Sequence, residues 1–356
     1  MLSFVLLSLF ACQEKDAPDS GNAFNRETLL LQVADAMILP VFDSLALSAE
    51  RLNMQLNAFI TQPDQASLLA AQNAWSKAFL HFQVARIFSF GPSETDVLGD
   101  LSENLGTWPI DTSGLESRIQ ASDSNMKDFR RDTRGFLALE YVLFEPQTMA
   151  RFQGPDAAKR SRYLYAVSSD ILDWSRRLKI DWLAYSPNFK KDSGKSAGSS
   201  TSELYNHWLQ SYELIKNYKV ALPAGLQVGQ TAAVPSLVES NYAHLSIRSI
   251  KIHQAAIEAL WYGKGMDGQE GIGFDDYLLK SAGGEALRNA IIAQWGRIHT
   301  VLDPIDENSK LSELVVNEPE TVLALFTELQ KMTRYIKGDM SSLLGIAITY
   351  SSSDGD

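Results

Sequence analysis

One carboxylate, Glu140, lies in the middle of the otherwise apolar stretch from Arg134 to Phe144. Burying an ionised carboxylate costs several kcal/mol unless a cation, a metal ion or dedicated hydrogen bonds compensate for the lost water. Glu94, Asp96 and Asp111 could share a metal cation with it, and Arg86 and Arg134 could pair with it directly. A cluster of carboxylates suits hard cations such as Fe(III), Ca(II) or Mg(II), whereas an arginine would form a buried salt bridge. The sequence therefore leaves two interpretations of Glu140 open, a cation site and a salt bridge.

Other catalytic chemistry has little support in the sequence. The five histidines are His81, His207, His244, His253 and His299. No two of them are three or four residues apart, so the sequence lacks the paired imidazoles of the helical zinc-hydrolase motif. The glycines from Gly263 to Gly273 follow no predicted strand, and we expect them to form a turn rather than a phosphate-binding loop.

Composition narrows the class of protein. The chain has 356 residues, of which 45% are hydrophobic and 21% charged, and its formal net charge is −11. This length suits two domains of ordinary size. The negative charge disfavours a nucleic-acid partner, because phosphates would be repelled.

The N-terminus has the pattern of a lipoprotein signal. Residues 1–11 are almost wholly apolar, and in Leu9-Phe10-Ala11-Cys12 the only cysteine follows a small residue. We predict a signal peptide over residues 1–11, lipidation at Cys12 and a polar tether over residues 12–25. An apolar segment of this length is too short to span a bilayer, which takes about 20 residues. The expected location is the outer membrane, facing the periplasm, with the lipid anchor as the contact with the membrane.

Helical periodicity dominates the chain from Arg26 onwards. The predicted helices cover residues 27–59, 65–88, 127–144, 156–182, 202–219, 236–262, 274–281, 284–302 and 318–344. Between Gly91 and Asn125 the periodicity is lost, and we expect an ordered loop there.

These elements predict an all-α fold of two packed helical bundles. The stretch rich in Ser and Gly after Ser186 marks the boundary, giving an N-terminal domain over 26–190, a linker over 191–201 and a C-terminal domain over 202–356. A short likeness between Ala138-Leu139-Glu140 and Ala256-Ile257-Glu258 fits an internal duplication.

The segment from Gly135 to Tyr141 resembles the Gly-x-His-x-x-Glu signature of the imelysin family of bacterial cell-envelope proteins. Other segments resemble the family in the same order: Asn73-Ala74-Trp75 with Phe90-Gly91-Pro92, Leu105 to Asp111, Tyr212-Glu213-Leu214 with Leu222 to Gly225, and Leu344 to Tyr350 with Asp354-Gly355-Asp356. Leu137 occupies the position of the signature histidine, one helical turn before Glu140. Because leucine cannot ligate a metal, a site built on the His and Glu pair has lost one of its two groups.

The resemblance implies two helical bundles, a lipoprotein or periplasmic location and a role in iron acquisition. We therefore expect a non-catalytic, lipid-anchored envelope protein that binds a ligand or another iron-uptake component. Its motif residues are Gly135, Leu137 and Glu140, and a metal site for iron or another hard cation would use Glu140, Asp111 and Glu94. A metallopeptidase is one alternative, since the family was first described as a peptidase. A carbohydrate-binding protein is another, through Trp108, Trp182 and Trp208.

Overall fold

The computed structural model describes residues 24–94 and 99–350. The predicted signal peptide, Cys12 and almost all of the tether lie outside the described residues, as does Asp96. The described residues form α-helices, short 3₁₀ and π-helical segments and loops, with no β-strand among them. The prediction of an all-α fold is therefore confirmed.

Helices of very different lengths build the first half of the chain. They are α1 (Arg26–Thr61), α2 (Gln65–Ala85), α3 (Leu101–Leu105), α4 (Thr112–Ala121), α5 (Gly135–Phe144), α6 (Thr148–Phe152) and α7 (Ala157–Lys191). The connection after α2, expected as an ordered loop, contains the short helices α3 and α4. Helix α7 continues beyond its predicted end and through Pro187.

The second half begins with α8 (Ser200–Glu213), which runs on through the π-helical segment Leu214–Ala221. The following helices are α9 (Ser246–Trp261), α10 (Phe274–Leu279), α11 (Gly284–Leu302), α12 (Leu311–Asn317), α13 (Pro319–Thr333) and α14 (Met340–Leu344). Another π-helical segment, Arg334–Asp339, joins α13 to α14, and a further one, Val33–Ile38, lies within α1.

Helix α1 is long and apolar enough to cross a membrane by length and composition alone. However, 56% of its most apolar window is buried inside the protein. It packs along α2 and α7, and its side chains Leu30, Phe42 and Leu45 belong to the core. In this structure α1 is therefore a core helix of the first half.

Helix α5 begins at Gly135, so the prediction of a helix from Lys127 is wrong for its first eight residues. Arg134 is extended, and its guanidinium donates to the carbonyls of Met126 and Asp128, which holds this stretch in turns. Gly135 has a φ of +77°, and a Cβ atom there would lie 2.6 Å from the carbonyl oxygen of Leu105. Only glycine fits this start of the helix.

The predicted helix over residues 236–262 is also shorter, since α9 begins at Ser246. Ser240 and His244 both have a φ of +56°, which ends helical geometry before α9. We call residues 238–245 the capping loop. This loop lies against the first half of the chain and contacts Glu140.

The two halves pack directly on each other. Helix α9 packs against α2, and α8 packs against the 3₁₀ turn Arg86–Phe88 that ends α2. The predicted linker coincides with the break between Lys191, where α7 ends, and Ser200, where α8 begins. The assignment of residues 26–190 and 202–356 as separate domains stays a prediction.

Candidate functional site

Glu140 lies where α5 meets the capping loop. Every residue of α5 from Gly135 to Leu143 is buried, and Glu140 is only 2% exposed. Its Oε1 atom accepts hydrogen bonds from the Ser240 hydroxyl at 3.0 Å and the Ala243 amide at 2.7 Å. Burial raises the pKa of Glu140 to about 8, although these hydrogen bonds act in the opposite direction. At neutral pH this carboxyl is therefore mostly protonated.

The two cations proposed for Glu140 have other partners. Arg86 pairs with Glu239, and Arg134 donates to two backbone carbonyls and to the Asn104 side chain. No cation among residues 24–94 and 99–350 forms an ion pair with Glu140. The interpretation of Glu140 as an arginine salt bridge is wrong for this part of the chain, and loop hydrogen bonds satisfy the carboxyl instead.

The three carboxylates predicted to bind a metal are not gathered into one group. Asp111 caps the N-terminus of α4, where its Oδ1 accepts from the Gly114 amide at 2.9 Å. Glu94 has a half-exposed side chain and lies 3.5 Å from His207 Nε2. Within the described part of the chain, no group of three His, Cys, Asp or Glu residues could hold a metal ion. Leu137, at the motif's histidine position, is buried and apolar.

Glu239, next in sequence to the Glu140 partner Ser240, is the centre of a buried ionic cluster. Its Oε1 lies 2.8 Å from Arg86 Nη1, and its Oε2 lies 2.9 Å from Lys219 Nζ. Gln83 joins the two cations, since its Oε1 accepts from Arg86 at 3.1 Å and from Lys219 at 2.6 Å. Arg86 and Gln83 come from the first half, and the other two from the second. The cluster thus ties the halves together.

Charge in this cluster is set by burial and by the neighbouring ions. Burial acts to raise the pKa of Glu239, but Lys219 and Arg86 outweigh it and hold the pKa below its ordinary value. Burial lowers the pKa of Lys219 to about 8, although Glu239 opposes this shift. With Glu140 protonated and Lys219 charged, the buried groups carry one net positive charge.

A cavity of 190 Å³ opens beside this cluster, between the two halves. We call it the interface cavity. Its lining comprises Arg86, Ser89, Asp100 and Ser102 from the first half, and His207, Gln210, Ser211, Glu213, Leu214, Asn217, Tyr218 and Tyr350 from the second. The Nε atom of Arg86 is buried and has no hydrogen-bond partner within residues 24–94 and 99–350. Because buried donors are nearly always satisfied, this atom has capacity for a ligand oxygen or a water.

Asp100 lines the cavity, and nearby acidic side chains disfavour its ionisation. Burial, with smaller contributions from Glu103 and Glu94, raises the pKa of Asp100 to about 6. The pKa of Glu203 is about 7, raised by burial first and then by Glu94. His207 is held neutral, because burial lowers its pKa to about 4. The surroundings of the cavity therefore gain negative charge as the pH rises from 5 to 8.

Ser211 and His253 form a hydroxyl and imidazole pair at the cavity. Ser211 Oγ lies 2.7 Å from His253 Nε2, and burial lowers the pKa of His253 well below its ordinary value. The other ring nitrogen, Nδ1, has no partner in the described part of the chain, so no carboxylate orients the imidazole there. The pair lacks the third member of a catalytic triad.

Gly194 to Gly198 also has the Gly-x-Ser-x-Gly spacing of a nucleophile elbow. An elbow requires a strand before the serine and a helix directly after it. Here the segment connects α7 to α8, and the carbonyl of Ser196 accepts from the Ser199 amide at 2.9 Å. The spacing therefore lacks the structural context of a hydrolase.

Two of the three tryptophans considered for carbohydrate binding are in the core. Trp182 and Trp208 are both fully buried, and their indole nitrogens donate to Ser93 Oγ and to the Ile257 carbonyl. Trp108 is half-buried and packs on Arg86 and Tyr218. A sugar could not stack on the two buried rings, so this part of the carbohydrate alternative is wrong.

Sequence reasoning singled out Glu140 and Arg86 but missed Glu239 and Lys219. Lys219 had little signal in the sequence, because Lys216 lies one helical turn before it and the two have the spacing of an ordinary basic face. No local signal marked Glu239. Its segment was predicted to be helical, and only the packing of the halves reveals its role.

The helical halves, the buried motif glutamate and the capping loop define a two-part helical protein with a polar centre at its interface. The model of the imelysin family (peptidase family M75) matches residues 38–335 of the sequence. The chain therefore belongs to the imelysin family.

Relatives in sequence and structure agree with this assignment. The chain is 26% identical over 171 residues to a protein named iron-regulated protein A from Synechococcus elongatus. This match spans 48% of the chain and 44% of the relative's length. An iron-regulated protein A precursor from Parabacteroides distasonis has a similar fold, with a TM-score of 0.75, 18% identity, and coverage of 91% of this chain and 97% of that one. An imelysin-like protein from Psychrobacter arcticum gives a TM-score of 0.72 at 17% identity, again covering 91% of this chain and 97% of that one.

Proposed function

We propose that this protein is a lipid-anchored, non-catalytic component of the bacterial cell envelope that takes part in iron acquisition. In this proposal it faces the periplasm from the outer membrane and works with other iron-uptake components. Membership of the imelysin family and the likeness to a protein named for iron regulation support a role connected with iron. The apolar N-terminal segment followed by Cys12 supports the anchor.

The form of iron that suits the interface cavity best is a small ferric chelate rather than the bare ion. A bare ion needs several converging ligands, and no group of three metal-binding side chains occurs within residues 24–94 and 99–350. The observation that carries the proposal is Arg86, a buried guanidinium that lines the cavity and has one donor without a partner in the described chain. A guanidinium recognises the carboxylate oxygens of a chelator.

Calorimetry with ferric citrate tests this proposal, and the direction in which the affinity changes with pH is part of the test. Asp100 and Glu203, with pKa values of about 6 and 7, are largely neutral at pH 5.5 and largely charged at pH 8. An anionic chelate should therefore bind more tightly at pH 5.5, and Asp100→Asn should reduce this difference. Bare Fe(III) bound by carboxylates would show the opposite trend. Absence of binding of ferric citrate, Fe(II) and haem at both pH values would overturn the proposal.

A charge placed at the cavity provides a more local test. Gln210 lines the cavity and is exposed, so Gln210→Glu should fold normally and weaken ferric citrate binding by about tenfold through repulsion. Gln65→Glu adds the same charge to an exposed position of α2 outside the cavity lining and should leave the affinity unchanged. Equal effects of the two variants would place the ligand elsewhere.

The anchor is tested by Cys12→Ala in cells. Without the thiol no lipid can be attached, so the variant should appear in the soluble fraction, whereas the parent chain should sediment with membranes. Membrane fractionation and labelling with a radioactive fatty acid measure the two outcomes. Labelling that persists in the variant would exclude Cys12 as the lipidated residue.

No observation favours the metallopeptidase alternative. Its test is peptide hydrolysis by the purified protein that chelators and Glu140→Gln both abolish.

A further inference from the structure

A second and larger cavity, of 580 Å³, lies wholly within the second half of the chain. Three cations line it, Lys216, Arg334 and Lys337, and no acidic side chain is among its described lining residues. We call it the cationic pocket. Its volume is in the range of about 300–1,000 Å³ that is typical of small-molecule sites.

The charge of this pocket is opposite to that of the chain as a whole. The protein carries a formal net charge of −11, so a local group of three cations is not a consequence of overall composition. Lys216 is only 4% exposed, and its side chain is therefore held at the pocket by its surroundings. Lys337 Nζ lies 3.0 Å from Glu213 Oε1, on the side that faces the interface cavity.

Two π-helical segments build most of the cationic side of the pocket. Lys216 comes from Leu214–Ala221, while Arg334 and Lys337 come from Arg334–Asp339. π-Helical turns are rare and frequently occur at functional sites. Two such turns lining one cavity are thus an independent indication of a binding site.

The rest of the lining presents apolar, amide and hydroxyl groups. Leu226, Val228 and Phe326 supply apolar surface, and Gln227 and Gln330 supply amide groups. A ligand that satisfies this lining needs an anionic group together with an apolar body. Inorganic phosphate would leave the apolar surface unused, and a neutral apolar molecule would leave the cations without new partners.

We propose that the cationic pocket binds a small organic anion, a carboxylate or phosphate group attached to an apolar body. The anionic group contacts Lys216, Arg334 and Lys337, and the body packs on Leu226 and Phe326. This site adjoins the interface cavity, with which it shares Asn217 and Tyr218, and the inference does not depend on the role in iron acquisition.

Titration calorimetry with phenyl phosphate, benzoate and benzamide tests the proposal. Phenyl phosphate and benzoate should bind, while benzamide, which has the same ring and no charge, should bind at least about tenfold more weakly. Arg334→Gln, at an exposed position, should weaken phenyl phosphate by about tenfold. Lys331→Gln removes an exposed cation of α13 outside the pocket and should have no effect.

A steric variant tests the location without changing charge. Gly338 lines the pocket, its φ is not left-handed, and a Cβ atom there would meet nothing within 4 Å. Gly338→Leu should fill the space and abolish binding. Gly296→Leu is the matched control, because Gly296 lies in α11, has equally open surroundings and does not line the pocket.

The sequence after Tyr350 contains two carboxylates that could compete with a probe. The Tyr350 ring lies 5.7 Å from Lys337 Nζ, and the chain continues to Asp354 and Asp356. Each titration is therefore repeated in a chain carrying Asp354→Asn and Asp356→Asn. Failure of both anionic probes in both chains would overturn the proposal, as would equal affinity for benzamide or binding that survives Gly338→Leu.

Discussion

At the scale of single residues, the helix and Glu140 of the family motif are present, but the motif histidine is replaced by Leu137. The carboxyl is buried in α5 and is satisfied by Ser240 and Ala243. Leu137, at the position of the family's histidine, adds an apolar side chain to the same helix. A polar group that the sequence pointed to as a metal ligand therefore serves here as a hydrogen-bonding contact between the halves.

The raised pKa of Glu140 predicts how stability depends on pH. A carboxyl with a pKa of about 8 in the folded protein and an ordinary value in the unfolded chain stabilises the protonated folded state. This contribution is complete below about pH 4.5 and is lost as the pH rises towards 8, by up to several kcal/mol. Glu140→Gln should therefore be more stable relative to the parent chain at pH 8.5 than at pH 5.

Urea unfolding of both chains across this pH range measures the difference between their free energies of unfolding. Asp111→Asn is a suitable control, because Asp111 is only a helix cap. A difference between the parent and Glu140→Gln that stayed constant with pH would contradict the assigned pKa.

At the scale of elements, periodicity predicted helices where apolar side chains pack locally and failed where polar contacts from distant segments decide the backbone. Residues 127–134 look helical in sequence, yet the Arg134 guanidinium binds the carbonyls of this stretch and keeps it in turns. The helix predicted over the capping loop is absent for a related reason. Ser240 and His244 have left-handed φ values there, and the loop brings hydrogen-bond donors to Glu140.

The long helices and the motif glutamate were predictable from local pattern. The ionic cluster was not, since its members come from both halves.

The start of α5 provides a test at this scale. Gly135→Ala would place a Cβ atom at a left-handed φ and against the Leu105 carbonyl, so it should destabilise the protein by roughly 2–4 kcal/mol. Gly198→Ala is the control, because Gly198 has open surroundings and no left-handed φ. Chemical denaturation of both variants measures the change, and similar values for the two would contradict the assigned contact.

At the scale of the whole molecule, the buried cluster of Arg86, Lys219 and Glu239 connects the two halves. Glu239 is the counterion of Arg86 from the first half and of Lys219 from the second, and charges buried in this way need such a partner. The interface is thus specified by charge pairing as well as by apolar packing of α9 on α2.

Glu239→Gln should therefore be strongly destabilising, by about 3–5 kcal/mol, since it leaves two buried cations without a counterion. Asp43→Asn removes a carboxylate from a half-exposed pair with Lys179 and should cost less than about 1 kcal/mol. Thermal unfolding followed by calorimetry gives both values. A small effect of Glu239→Gln would mean that water reaches the cluster and that the halves are not sealed there.

The contact between Glu140 and the capping loop, which is the joint between the two halves, also keeps one proton bound at neutral pH. If the loop withdrew and water reached the carboxyl, its pKa would return to an ordinary value, and the proton would leave at neutral pH. Opening the joint is then an acid-releasing event, favoured by alkali and opposed by acid. An acidic medium would therefore hold this protein closed.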